Sequence, residues 1–377
     1  AYTDTGAMPT FGMVYNHAQN AFSGYTIRQD WLDDLGLEMP DTIEEWNEVL
    51  KAFKENKTNG APPMDLNSTG FSPMNFLEGA FNVSGETQAG LIVVDDVIHS
   101  SFRDQGFRDY LELMHGWYAD GMIDPDFTSI RYGWNSSRLA NNESGIVPAM
   151  YTQVATYCAD AGMAPEGCYL AIMPQPTVSG YDRKVYHNGK YSSGLTPNAD
   201  IVFADSEFVE ETIRWIDYRF SEEGYMLTNY GIEGVTFHYD EDGVPQLEDL
   251  LVKNPDGMAA GTAQEYYLIH NGAVVFLLPR EERQASEEGL KYNELWAGYG
   301  EWNLTGNLTY TIEESEQRGP LVTDLTTYIN EFAGKVIMGL TELNDATWAE
   351  FQDQLTTMGM DTGVEITQTA YDRYLKR

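Results

Sequence analysis

The sequence predicts an α/β fold in two lobes, on three observations. Helical periodicities alternate with short β-like runs along the whole chain. Its 377 residues are long for one domain and comfortable for two. No linker-like stretch separates two halves, so the lobes are expected to be joined by several chain crossings.

The elements follow in order. Residues 25–29 read as a short strand. DWLDDLG (30–36) reads as a helical turn ended by Gly36, and Pro40 breaks the chain. DTIEEWNEVLKAFKENK (41–57) is a helix: Thr42 and Glu45 form a capping box, and Trp46, Val49, Leu50 and Phe53 recur at i, i+3, i+4, i+7. Its acids lead and its lysines trail, as the helix dipole prefers. MDLN (64–67) then starts a strand. Further helices are predicted at 107–121, at 206–224 opened by Asp205 and Ser206, at 321–339 and at 344–359. Strand-like runs lie at 145–150, 169–174, 184–191, 234–240, 244–251 and 273–279, with a type I′ hairpin signal, HNGK, at 187–190.

Composition excludes some functions. With 22 basic and 59 acidic residues the net charge is −37, which repels phosphate backbones and anionic lipid; nucleic acid is not expected as a partner. The acids are spread along the chain and read as a solubilising surface. No apolar run approaches the roughly 20 residues of a membrane helix. The first residues, AYTDTGAMPT, show neither a basic nor an apolar signal-peptide region. Cys158 and Cys168 bound a short loop; they are either bridged, for roughly 2–3 kcal/mol in an oxidising compartment, or two unpaired small hydrophobes.

Catalytic motifs are missing. There is no G-x-S-x-G, P-loop, G-x-G-x-x-G or H-E-x-x-H, and the six histidines never fall at helical metal-pair spacing. HYDEDGVPQLED (238–249) is similar to an EF-hand loop, but His238 stands at position one and the bidentate Glu is replaced by Asp249, so a β-turn between strands is expected. No metal or other cofactor is predicted. Paired carboxylates for glycoside hydrolysis carry no specificity among 59 acids. The aromatics say more. Many of the 24 Tyr, 8 Trp and 16 Phe sit in Gly/Asn-rich segments, where rings can stack on sugar C–H faces and amides can bond hydroxyls.

The ordered motifs resemble one family. YTIRQDWLDDLGLEMPDTIEEWNEVLKAFKENK (25–57) is similar to the Arg-x-Asp-Trp-Leu block of family 1 extracellular solute-binding proteins of carbohydrate ABC importers, in the version of large Gram-positive lipoproteins. GWYADGMIDPDF (116–127), residues 213–237, NPDGM (254–258) and the stretch from Leu343 to Arg377 resemble later blocks, so the resemblance covers nearly the whole chain. It implies a type II periplasmic-binding-protein-like fold: two α/β lobes around a cleft, one from 15–190 and 318–377, the other from 1–14 and 191–317. It implies a non-catalytic, monomeric protein that hands an oligosaccharide to ABC permease subunits, lipid-anchored outside the cytoplasmic membrane. In the family the first block follows well over a hundred residues, whereas here it begins at Arg28; the first part of one lobe is therefore expected to lie outside this numbering. Some relatives carry an Asp-rich calcium loop after the AFK helix. ENKTNGAPP has no Asp, so calcium is not carried over.

By place in the family's blocks, the ligand-binding candidates are Asn67, Phe71 and Asn75; Arg131, Tyr132 and Trp134; Tyr151 and Gln153; Trp296 and Trp302; and Arg318, read as preceding the fourth helix. The acidic surface favours neutral sugars over uronates. A glycan hydrolase with paired carboxylates and a peptide-binding protein of the same fold are the alternatives.

Overall fold

The computed structural model of the chain describes residues 11–15, 23–66, 68–69, 77–85, 90–129, 132–133, 136–159, 166–185, 195–203, 205–258, 260–268, 275–276, 287–296, 300–304 and 308–376. The chain is α/β and divides into two compact units, 1–19 with 192–284, and 20–191 with 285–377. It crosses between them three times, after residues 19, 191 and 284. Residues 285–317, expected with the smaller lobe, cluster with the larger unit instead. Glu288 accepts from Ile172 N at 3.1 Å and from the Tyr169 hydroxyl at 3.2 Å, and Trp302 bonds through its backbone to Val93 and Lys184, both at 2.9 Å.

The larger unit is built on a sheet whose middle strand, Ser23–Arg28, runs antiparallel to Ile146–Met150 on one side and Leu170–Ile172 on the other. Met64 extends the ladder by parallel bridges to Ile146 and Ile123. Successive strand residues point to opposite faces. Tyr25, Ile27, Ile146, Ala171 and Met173 therefore enter the main core, while Val147, Ala149, Leu170 and Ile172 enter a second. Coverage on both faces explains why these strands read as short unbroken apolar runs.

The helices on the main-core face follow their sequence patterns. Ile43–Asn56 starts on the predicted capping box: Thr42 Oγ1 accepts from Glu45 N at 3.2 Å, and Glu45 accepts from Thr42 N at 3.0 Å. Backbone N–H groups of Asp41 and Thr42 hold the Glu45 carboxyl below its usual range. Trp46, Val49, Leu50 and Phe53 are buried, as are Phe107, Leu111 and Met114 of Gln105–Ala119. Gly36 ends the first short helix at φ 65°, the left-handed position that favours glycine. Asp345–Thr357, capped by Asn344, and Met360–Tyr374 complete this side.

Three expectations are corrected. The fourth predicted helix starts at Ile312 rather than Leu321, on a capping box of Thr311 and Glu314, and runs through Pro320 to Ile337. Proline forfeits one helical hydrogen bond there, but Val322, Leu325, Ile329, Val336 and Ile337 are buried beyond it, and packing carries the helix. Residues 206–224 are not one helix. Val209–Tyr218 ends, and Glu222–Asn229 restarts where Ser221 Oγ accepts from Gly224 N at 3.1 Å. Gly224 is required, since a Cβ would lie 1.9 Å from the Tyr218 carbonyl oxygen. Ser206 Oγ accepts from Phe208 N at 3.2 Å, and among the described residues no side chain caps the first of these helices. The run 244–251 holds a strand only at Pro245–Leu247, then turns helical at Asp249–Val252. The HNGK signal lies outside the described residues.

In the smaller unit, Phe11–Tyr15 pairs parallel with Val275–Phe276 and antiparallel with Leu195–Asp200. Asn229 ties its helix to this sheet by donating to Val275 O at 2.8 Å. The EF-hand-like stretch forms the expected turn between Phe237–Tyr239 and Pro245–Leu247. The Asp240 carboxylate closes it, accepting from Asp242 N, Val244 N and Gln246 Nε2.

Cys158 and Cys168 are bonded, with their Cα atoms 5.3 Å apart. The bridge pins the helix Val154–Ala159 beside the strand Leu170–Ile172, and both cysteines pack on the second core. Replacing both by serine is expected to lower stability by about 2–3 kcal/mol. Urea denaturation checks this: reductant should shift the midpoint of the original chain and leave that of the double variant unmoved.

Candidate functional site

The second core gathers two segments that the sequence singled out. Tyr151 follows the strand Ile146–Met150 directly. Its ring stacks on Tyr292 at 4.2 Å and 20°, and both residues are buried. Gln153 secures the turn: its Oε1 accepts from Met150 N at 3.1 Å and from the Tyr157 hydroxyl at 2.8 Å. One turn beyond Tyr292, Trp296 is buried and donates from Nε1 to Met173 O at 2.9 Å. Tyr151, Tyr292 and Trp296 thus share one cluster.

Trp296 also walls a recess in the larger unit. Tyr25 and Trp46 supply the other rings, Leu77 and Met173 the aliphatic surface, and Pro174–Gln175–Pro176 a rim. Gly24 permits the close approach, because a Cβ there would meet the Trp296 ring at 2.5 Å. Trp46 is held edge-on to Tyr25 at 6.0 Å and stacked on Trp117 at 6.2 Å. The helical stripe marks Trp46 as a core residue, and nothing in its pattern joins it to Gly24, Tyr25 and Gln175, which share this recess. A glycine inside a strand and prolines flanking a Gln just after a strand were the available signals.

Other candidates fall elsewhere. Trp302 is half-buried and lies between the backbones of Val93 and Lys184. Arg318 lies inside the long helix, which corrects its reading as a residue preceding that helix. Its Nε donates to Thr367 Oγ1 at 3.2 Å and its guanidinium covers the Tyr310 ring at 4.6 Å. The backbone of Tyr132 pairs with Thr69. Asn67, Phe71, Asn75, Arg131 and Trp134 lie outside the described residues.

A carboxylate pair does occur, deep in the sheet. Asp65 and Asp124 flank Arg138, whose Nε lies 2.8 Å and 3.6 Å from them. Burial pushes the Asp65 carboxyl up to about 6, against the pull of Arg138. A raised carboxyl can mark a catalytic acid, but Asp65 is 0% exposed and cannot reach a substrate. The cluster is a buried scaffold. Among the described residues no three His, Cys, Asp or Glu side chains converge as a metal site, and no helix is long and apolar enough to cross a membrane.

No family model matches the chain. Individual proteins do. Lipoprotein LipO of Bacillus subtilis is 26% identical over 263 residues, 64% of this chain and 51% of that protein. The fructooligosaccharide ABC transporter substrate-binding protein FusA of Streptococcus pneumoniae is 22% identical over 380 residues, 92% of this chain and 65% of that protein. The chain thus spans about half to two thirds of the length of these curated relatives. Among solved structures, the alginate-binding protein AlgQ2 without calcium superposes with a TM-score of 0.78 at 23% identity, covering 98% of this chain and 76% of that one. The chain is thus similar in sequence to a lipoprotein and to a substrate-binding protein of a sugar ABC transporter, and it folds as a type II solute-binding protein.

Proposed function

We propose that the chain is the substrate-binding component of an ABC importer and captures a neutral oligosaccharide without cleaving it. The observation that carries this reading is the match to FusA along 92% of the chain. Three features support it. The larger unit gathers aromatic rings around a recess. The raised carboxyl lies where no substrate reaches. The cysteine bridge suits an oxidising, extracellular compartment. Permease subunits are the expected partner, the protein acts as a monomer, and a lipid anchor holds it at the membrane's outer face. Signalling to a permease requires that the sugar bind one conformation better than another.

A thermal-shift screen against mono-, di- and oligosaccharides tests the reading, with product analysis on each hit. A sugar at 100 times its Kd should add about 2.7 kcal/mol of stability and be recovered intact. Turnover of the sugar sinks the binding reading. Stabilisation by peptides with no sugar response moves the assignment to a peptide-binding protein.

A further inference from the structure

We propose that Asp65 and Arg138 are positioning residues for sugar binding: their buried contact fixes how two candidate binding segments lie against each other. The proposal rests on the oligosaccharide reading and adds residues that act on the site without touching the ligand. Composition singles out STGFSPMNF (68–76) and SIRYGWNSSR (129–138) as Gly/Asn-containing stretches that carry aromatics. The structure joins them. Ser68 pairs with Gly133 and Thr69 with Tyr132 in an antiparallel ladder. So short a ladder is not stable by itself. A slip of one residue in any such ladder turns every strand residue to the opposite face. Its register must therefore be set from outside.

The Asp65–Arg138 pair stands at the root of both strands. Before Ser68 the chain is locked into the larger unit's sheet. Asp65 N donates to Ile146 O at 3.0 Å, Met64 N to Met122 O at 3.1 Å, and Asp124 N to Met64 O at 3.2 Å. After Gly133 the helix Ser136–Ala140 carries Arg138 back to that sheet. Arg138 Nε donates to Asp65 Oδ1 at 2.8 Å, and its Nη2 donates to Glu143 O at 3.1 Å and to Pro62 O. Both side chains are buried. A guanidinium donates in fixed directions, so this contact sets both the distance and the angle between the strand leaving Asp65 and the helix entered from Gly133. Among the described residues, Arg138, Asp124 and Ser144 are the charged and polar side chains that act on Asp65. Protonating Asp65 takes its charge out of the contact and leaves a neutral sugar unchanged. Affinity should therefore follow the Asp65 proton.

Isothermal titration calorimetry of the intact chain with maltotriose, cellotriose and kestose, at pH 7.5 and pH 5, tests this. The decisive variant is Asp65→Asn combined with Arg138→Met, which removes the contact without leaving Asp65 charged and unpaired. At pH 7.5 it is expected to bind the responding sugar about tenfold more weakly than the unmutated chain, with a urea midpoint close to the original. From pH 7.5 to pH 5 the unmutated chain should lose affinity by about twofold or more, and the double variant should not. The proposal is overturned if the double variant binds as tightly as the unmutated chain or keeps its pH dependence. It is equally overturned if the unmutated chain binds with the same affinity at both pH values. Each of these results leaves the oligosaccharide reading standing, because the unmutated chain still binds sugar. If none of the three sugars binds, the proposal falls, and the wider carbohydrate screen alone decides that reading. Should the double variant not fold or not recover the midpoint, Asp65→Asn alone, which keeps Asp124 beside Arg138, is held to the same two expectations.

Discussion

At pH 7.5 an Arg138→Met chain is expected to be about 3–5 kcal/mol less stable than the unmutated chain, and the deficit is expected to narrow near pH 5. Arg138 donates to Asp65 at 2.8 Å, to Glu143 O at 3.1 Å and to Pro62 O, while Asp124 lies 3.6 Å away. Methionine fills much of the same space but leaves Asp65 buried without its cation. The sign of the pH effect follows from Asp65. Burial raises its carboxyl to about 6 in the folded chain from 3.8 as the ordinary value. The folded state therefore binds this proton more tightly, so the stability from this group is complete below about pH 4 and is lost as the pH rises through 6. The loss amounts to roughly 3 kcal/mol at one pKa unit per 1.36 kcal/mol. Removing Arg138 raises the carboxyl further and deepens the loss at pH 7.5. Near pH 5 most Asp65 is protonated in both chains, and the variant then lacks mainly the bonds to the two carbonyls. Urea midpoints at the two pH values check this, and Asp65→Asn added to Arg138→Met should recover most of the deficit at pH 7.5. A deficit that is equal at both pH values would show that Asp65 is not its cause.

That cluster also shows where the sequence stops being legible. Asp65 and Arg138 are 73 residues apart, and Trp296 and Met173 are 123 apart. Nothing local brings such residues together; the sheet does. By contrast the capping box at Thr42 and the Trp46–Phe53 stripe are contacts within one or two helical turns, and the structure holds both as read. The hairpin Leu91–Val94 to Val97–Ser100 escaped notice because it turns through Asp95 and Asp96, at φ 50° and 65°, instead of an Asn-Gly pair. Tyr151 shows a different gap. Its place after a strand was legible, but its burial depends on Tyr292 from a distant segment. A loop aromatic read alone looks like a ligand platform, whereas this ring already has a partner on its face. The segment around Trp296 stands out in the sequence for its aromatics, and the structure places Trp296 in the second core. The helical stripe accounts for the Trp46 ring but not for its Nε1–H, which is buried with no acceptor among the described residues.

An Arg28→Ala chain is expected to lose about 3 kcal/mol, the low end for breaking a buried ion pair, because the Asp30 side chain left behind is still 25% exposed. Arg28 ends the middle strand with only 3% of its surface exposed. Its Nε and Nη2 grip the Asp30 carboxylate at 2.7 and 2.5 Å, its Nη1 reaches Asn142 Oδ1 at 2.9 Å, and its guanidinium covers the Trp31 ring at 4.4 Å. Asp30 in turn accepts from Tyr169 N at 3.2 Å. The Arg-x-Asp-Trp spacing is thus the geometry of one joint. It couples the strand end to the first short helix, to the Asn142 turn at φ 57° and to the approach of the strand Leu170–Ile172. Arg28→Lys should keep most of the loss, because an ammonium is a point charge that neither forks onto a carboxylate nor lies flat on a ring. Denaturation of both variants, with Trp31→Leu added to each, separates the ring contribution of about 0.5–2 kcal/mol from the ion pair. If lysine restores full stability, charge alone matters and the fork and stack are incidental. The sugar-induced thermal shift is expected to survive in Arg28→Lys, since the joint holds the scaffold rather than the ligand. Loss of that shift in a folded Arg28→Lys chain would place this block in recognition instead.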